Sequence, residues 1–487
     1  MALLYRFVKV HDRGNTRVFS FVVTKTVTRD LHRDVTTKEF PYGFHRWAVT
    51  FSRNEKLLGV YLVWKNPSEH VRLYIDFAFS LLNRDHFSGN ESFSGKQIKF
   101  SKESPAQGNR KFINVGSLYE RKFTDANGEF QLELTMTNVR TVFEADLGVP
   151  RSLKEEARLE TSFFTFGNFE WSVTVQRAAE DPQRVSAALR RLTGFEHKCR
   201  VRYNLTLGDG EAAAISGILE EVSDRDGRGP GWTPRAALHD LCAAGRLKVV
   251  CEMLMANTVG ELVVGTLAAP ASGPCHDRDR QAWTVEADTN GDFLRLKVVY
   301  KDIHNIPRNH IKHSEWNVFI IRRHPKGGFM NPSAVPRGPF CNYYVHEEQD
   351  EGIMIETDVP VKELRSPGSL YVDERHQLVV QLEWLETVLL FQSTYHKYDD
   401  ISRVHNFQMR REISALQAEN YSLERQLFSY QKSIAFANSR GTYSDELPSP
   451  ESHTVGYPDA ANGGRNGVEH APHGLAERCL DDGDYNA

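Results

Sequence analysis

From residue 1 to about 395, apolar residues recur at every second position in short runs separated by Gly, Asn, Asp and Pro. That is the period of half-buried β-strands. Phe130-Gln-Leu-Glu-Leu-Thr-Met136 puts Phe130, Leu132, Leu134 and Met136 on one face and Gln131, Glu133 and Thr135 on the other, as in an antiparallel sheet with one wet face. The run from Phe19 to Val27 reads the same way. Helices are expected to be short. Asp181-Pro182 ahead of Val185, Ala188, Leu189 and Leu192, with Gly194 beyond, supplies an N-cap, a proline at the first helical position and a C′ glycine. Thr233-Pro234 opens a second such turn before Leu238 and Leu241.

At Met409 the period changes. Met409, Ile413, Leu416, Asn420, Leu423, Leu427, Tyr430 and Ile434 follow alternating steps of four and three, the heptad signature of a coiled-coil seam, here over residues 398–438. Asn420 falls at an a position, where it fixes register and favours a parallel pair. Arg410, Arg411, Glu412, Glu419, Glu424 and Arg425 leave the flanks charged, as a narrow seam requires. Glu419 would face Glu424 across the seam, so the homodimer expected through this helix is weak on its own. The alternative is a solitary amphipathic helix packed on the domain before it. Residues 439–487 are rich in Gly, Asn, Asp, Ser, Pro and His and are expected to be disordered. Ser449-Pro450 lies in that tail.

Two markers recur in the same order three times. Trp47-Ala-Val49, Trp171-Ser-Val173 and Trp316-Asn-Val318 share a Trp-x-Val pattern. Each is followed by a later apolar strand, beginning at Phe130, Leu247 and Leu378, and a short apolar–polar turn precedes each of those: Val115 to Leu118, Leu238 to Leu241 and Val361 to Leu364. The reading is three copies of one β module over 1–142, 143–258 and 284–393, with a loose linker at 259–283. In an alternating strand the Trp, the Val and the next apolar residue point the same way. Trp47, Trp171 and Trp316 are therefore expected to be sandwich-core anchors.

Between Phe44 and Thr137 the chain resembles the MATH (meprin and TRAF-C homology) domain. The residues that carry this are RWAVTF at 46–51, LLGVYLVW at 57–64, VRLYIDFAFSLLNRD at 71–85 and GNRKFINVGSLY at 108–119, closed by FQLELTM at 130–136. The second and third copies resemble it more loosely. The resemblance implies a mainly β fold of tandem antiparallel β-sandwiches, followed here by the coiled-coil helix and tail. It also implies binding of short extended peptides at a sheet edge, with shallow side-chain pockets. Carried onto this sequence, the peptide-facing positions are Leu57, Tyr61, Phe77, Phe79, Gln107, Asn109 and Lys111, with a core role open for Tyr61, Phe77 and Phe79. Substrate adaptors of the family often carry Trp-Gly-Phe before the Lys-Phe-Ile strand. Here that place reads Gln107-Gly108-Asn109, a departure that bears on the aromatic pocket.

At 487 residues the chain exceeds what one core supports. Sixty Lys and Arg against 64 Asp and Glu give a net charge of −4, so no basic field invites nucleic acid. No apolar run approaches the ~18–20 residues needed to span a bilayer, and the N-terminus lacks the features of a signal peptide. A cytoplasmic or nuclear address without membrane insertion is expected. The six cysteines, at 199, 242, 251, 275, 341 and 479, never form CxxC, so neither a disulfide framework nor a zinc site is indicated. No phosphate loop, HExxH, GxSxG or kinase set is present. No catalytic residue, metal or cofactor is expected, although a Cys–His pair from distant positions stays open. The expected function is a non-enzymatic scaffold or adaptor that binds short linear motifs of partner proteins and self-associates through the coiled coil. Two alternatives are a substrate-recruiting subunit of a ubiquitin ligase and a rigid rod whose coiled coil alone has partners.

Overall fold

A computed structural model describes residues 2–440 except 11–14, 30–33, 151–157, 179–180, 182, 224–230, 267–272, 324–332, 336–337, 348–350 and 392–396. The tail at 441–487, with Ser449 and Cys479, lies outside the described residues. The chain divides into two compact units, Met1–Glu412 and Ile413–Ala487.

The first unit is mainly β, and its elements come in three groups. The first holds β1 (Ala2–Lys9), β2 (Arg17–Val23), α1 (Thr26–Arg29), β3 (Val35–Thr36), β4 (Phe40–Tyr42), β5 (His45–Asn54), β6 (Leu57–Trp64), β7 (Val71–Leu81), β8 (Glu91–Phe100), β9 (Ala106–Asn114), α2 (Val115–Glu120) and β10 (Phe130–Gly148). The second holds β11 (Arg158–Glu160), β12 (Phe164–Phe166), β13 (Phe169–Arg177), β14 (Val185–Arg191), β15 (Lys198–Leu207), β16 (Ala214–Ser223), α3 (Leu238–Leu241), β17 (Cys242–Ala243) and β18 (Arg246–Gly265). The third holds β19 (Cys275–His276), β20 (Ala282–Asp288), β21 (Phe293–Tyr300), β22 (His310–Ile321), β23 (Ser333–Ala334), β24 (Phe340–Val345), β25 (Ile353–Pro360), α4 (Val361–Arg365) and β26 (Gln377–Phe391). The helix α5 (Lys397–Arg440) follows.

Each group puts a small antiparallel sheet against one large sheet. The small sheets are β3-β5-β6-β9 with β4 on β5, β11-β13-β12 with β14 on β13, and β19-β20-β21-β25. The large sheet runs β1-β2-β10-β18-β26-β22-β23, with β7 and β8, β15 to β17, and β24 attached beside that path. Aromatic rings join the layers: Trp47 meets Phe100 edge-on at 5.2 Å, Phe143 stacks on Phe164 at 4.2 Å, and Trp283 lies 5.3 Å from Trp316. Such buried aromatics dominate the core's contribution to stability.

The three long strands tie the groups together. One flank of β10 pairs β2 over Phe130–Met136, and its last stretch, Thr141 to Gly148, pairs β18. The end of β18, from Thr258 to Gly265, pairs β26. The anticipated boundaries at 142/143 and 258/259 therefore fall inside β10 and β18, and the linker read over 259–283 contains the end of β18, β19 and Trp283. A strand that gives its two halves to two neighbours leaves nothing to cut between them. Ion pairs reinforce the seams: Arg140 Nε lies 2.6 Å from Glu252, Arg200 Nε 3.4 Å from Glu383, and Lys9 Nζ 3.1 Å from Glu386.

Two further expectations change. Val185 to Arg191 is a strand, not a helix. Val185, Ala187 and Leu189 are buried while Ser186, Ala188 and Arg190 are half-buried, and all seven residues pair with Trp171 to Arg177. Sheet pairing overrides the helix propensity of the Ala-Ala-Leu-Arg run. The third Trp-bearing equivalent is Trp283, not Trp316. Trp47, Trp171 and Trp283 sit on the first strand after a hairpin in their small sheets. Trp316 sits on β22 of the large sheet, opposite Trp283.

Candidate functional site

The first group ends in two neighbouring free edges. Among the described residues β8 pairs only with β7, and β9 only with β6. An edge strand presents unpaired N–H and C=O groups to any extended chain that can reach it. Its close fit to β6 comes from Gly108: a Cβ there would lie 2.1 Å from the carbonyl oxygen of Val60 and 2.6 Å from Cα of Tyr61. The ladder is irregular at this point, with a register shift between Leu58 and Val60, and only glycine tolerates the approach.

The residues expected to face a peptide divide. Gln107, Asn109 and Lys111 lie on β9; Gln107 and Asn109 are half-buried and Lys111 is exposed. Gln107 donates from Nε2 to Ser104 Oγ at 2.9 Å, and Asn109 Oδ1 accepts the Lys111 backbone N–H at 2.9 Å. Leu57 and Tyr61, on the adjoining β6, are half-buried. Phe77 and Phe79 are core residues, buried against each other with ring centroids 5.6 Å apart. The alternation of β7 sends them inward together with Ile75 and Leu81, so they are withdrawn from the peptide-facing set.

The sequence did not single out the charge of this edge. Lys96 and Lys99 on β8 and Arg110 and Lys111 on β9 are all exposed. Among the described residues none of the four has a carboxylate within 4 Å. Nearby Lys102 pairs with Glu69, and Arg121 with Glu91 at 2.8 Å. The edge thus combines two strands, each paired on one side only among the described residues, with four exposed cations that make no ion pair within 4 Å there.

Trp47, Trp171 and Trp316 are all fully buried. Trp47 Nε1 donates to the Tyr42 carbonyl and Trp171 Nε1 to the Phe166 carbonyl, each at 3.0 Å and five residues back. In the third group Trp283 Nε1 donates instead to Asp277 Oδ2 at 3.1 Å. On α5, Met409, Ile413, Leu416, Leu423, Leu427, Tyr430 and Ile434 are exposed, as is Asn420.

Three of the described cysteines are buried, at 199, 251 and 275. Desolvation pushes the thiols of Cys199 and Cys275 up to about 12 and that of Cys251 higher still, so they stay protonated at neutral pH. Among the described residues no three His, Cys, Asp or Glu side chains come together as a metal site. No described helix is long and apolar enough to cross a membrane.

No protein-family model matches this sequence, and no curated protein matches it either.

Proposed function

We infer that the chain is a non-enzymatic adaptor built from three MATH-like two-layer modules, and that its first module binds a short, extended, acidic peptide along β9. The observation that carries this reading is the free β9 edge flanked by Lys96, Lys99, Arg110 and Lys111. Main-chain pairing supplies affinity without regard to sequence. The cations select acidic residues and speed encounter. The exposed apolar stripe of α5 supports self-association as a coiled coil. Two weak peptide sites on one dimer then gain effective concentration, and avidity exceeds either single affinity.

The test is a peptide array of extended acidic and basic sequences probed with the full chain, followed by titration of the best binders. Acidic peptides are expected to bind, with an affinity that falls as salt rises. Arg110→Glu with Lys111→Glu should weaken them about tenfold or more while leaving the thermal midpoint unchanged. Equal binding of basic peptides, or an unaffected double variant, overturns the reading.

A further inference from the structure

The three long strands share an irregularity. The pairing of β10 with β7 shifts register between Thr137 and Arg140, that of β18 with β15 skips Leu254, and that of β26 with β22 skips Leu385. A bulge kinks its strand, leaves backbone groups outside the ladder and re-aims the neighbouring side chains. Here all three bulges open onto one cavity of about 590 Å³, whose walls include Val139, Leu254 and Leu385. Sites of this size commonly lie where modules meet, and a few polar groups set the ligand.

The polar wall is unbalanced. Arg17, Arg140, Arg202 and Arg278 line the cavity, against Glu252 and Glu386. Both carboxylates are already engaged: Glu252 by Arg140 at 2.6 Å, and Glu386 by Arg17 at 3.4 Å and by Lys9 at 3.1 Å. Among the described residues Arg202 has one ion pair, with Glu220 at 3.4 Å, a residue outside the cavity wall. Arg278 has no ion pair among the described residues and donates to the Thr387 carbonyl at 3.3 Å. Within the wall, then, Arg278 has no carboxylate partner among the described residues, and the partner of Arg202 stands outside it, so the wall itself carries an excess of positive charge. The remaining wall mixes neutral polar side chains, Asn15, Gln97, Asn138 and Thr141, with an apolar and partly adaptable part: Met253 and Met255 flank the bulge of β18, and the ring of Phe44 lies 5.1 Å from that of Phe166. Unbranched methionines repack around irregular shapes.

We propose that this three-way cavity binds a small organic phosphate monoester, with its dianionic head on Arg202 and Arg278 and its apolar body against Met253, Met255 and the Phe44–Phe166 pair. A guanidinium fork matches a phosphate in both geometry and charge, and two such forks match the dianion. This site is separate from the β9 edge in residues and in ligand.

The experiment is calorimetric titration of the full chain with 1-naphthyl phosphate, 1-naphthoate and 1-naphthol, which share a body and differ in head charge. One site per chain is expected, with the phosphate binding about tenfold tighter than the carboxylate and tighter still than the neutral alcohol. Arg278→Gln and Arg202→Gln should each cost about tenfold for the phosphate and little for naphthol. Lys111→Glu should leave the site untouched, which separates a failure here from a failure of the peptide edge. Equal binding by naphthoate overturns the dianion assignment. Equal binding by naphthol, no effect of either arginine variant, or loss of binding in Lys111→Glu overturns the site. Thermal unfolding of each variant without ligand, unchanged from the parent, confirms that lost binding is not lost structure; should Arg278→Gln lower the midpoint, Arg202→Gln alone carries the test.

Discussion

The ammonium group of Lys312 lies 3.0 Å from Oδ2 of Asp277, and both side chains are almost wholly buried, at 7% and 0% exposure. The same carboxylate accepts the indole N–H of Trp283 at 3.1 Å, while its other oxygen accepts the backbone N–H groups of Asp279 and Gln281 at 2.9 Å. The Tyr300 ring sits 4.5 Å from the ammonium. In the first two groups of strands a hairpin carbonyl receives the tryptophan. In the third a longer loop removes that carbonyl, and Asp277 takes its place, with Lys312 balancing the charge.

Removing one partner of such a pair strands the other charge in a medium that cannot solvate it. Asp277→Ala should therefore destabilise the fold by about 3–5 kcal/mol. Asp277→Ala with Lys312→Met should recover part of that loss. Urea titrations of the two variants and the parent measure both; a double variant no better than the single one contradicts this account.

The tryptophans differ in what their indole nitrogen loses. Replacing Trp47 or Trp171 by Phe strands a buried carbonyl, an added cost of about 1 kcal/mol over the packing loss. Trp316 Nε1 is buried with no hydrogen-bond partner among the described residues, so Trp316→Phe should cost less than either. Chemical denaturation of the three variants ranks them. A Trp316→Phe loss equal to the others contradicts the assigned role of the indole hydrogen bonds.

His45 is buried among Trp47, Trp64 and Phe166, with Nε2 2.7 Å from Thr141 Oγ1. Desolvation holds its pKa down at about 3, against 6.5 ordinarily. Below pH 6.5 the unfolded chain takes a proton that the native state refuses, so stability present above that pH falls as pH drops toward 3. The loss by pH 5 is about 2 kcal/mol. The difference in unfolding free energy between the parent and His45→Gln, followed from pH 8 to 5, isolates it.

Glu221 has the opposite sign. Burial raises its carboxyl to about 7 from an ordinary 4.5, so the protonated form is favoured in the native state. Its contribution is complete below 4.5 and lost as pH rises through 7. Glu221→Gln should be more stable than the parent at pH 8, with the advantage vanishing near pH 4.5. Thermal midpoints at the two pH values test this.

Exposed Leu423 and Leu427 lie on the α5 stripe. If that stripe joins two chains, Leu423→Glu with Leu427→Glu yields a monomer, and Asn420→Leu relaxes the preference for a pair. Sedimentation at micromolar concentration reads the mass. A monomeric parent removes self-association from the proposed function.

The candidate site was partly legible. The β9 positions Gln107, Asn109 and Lys111 came from the resemblance to the MATH domain, and the apolar stripe of α5 from its heptad spacing. The cationic rim was missed because Lys96, Lys99, Arg110 and Lys111 stand on two consecutive strands, and only the pairing of the sheets shows that both strands are edges with these side chains exposed. The cavity of the three bulges was not legible at all. Nothing local distinguishes Leu254 or Leu385 from a residue in register, since a bulge is a property of two paired strands.

Alternation marked Phe130, Leu132, Leu134 and Met136 as buried, but not Gln131, which is buried as well, nor the burial of both faces from Phe19 to Val23. Such a pattern records only the environment of single residues. Partner choice is a different quantity, decided between strands, from the next strand of a hairpin to one in another part of the chain. Val185 to Arg191 carries residues suited to helix or strand, and Trp283 and Trp316 both open a Trp-x-Val run. Pairing with Trp171 to Arg177 made the former a strand. The stacking of two layers put Trp283 in the small sheet and Trp316 opposite it, and the division of β10 and β18 between neighbours joined the three groups of strands in one unit.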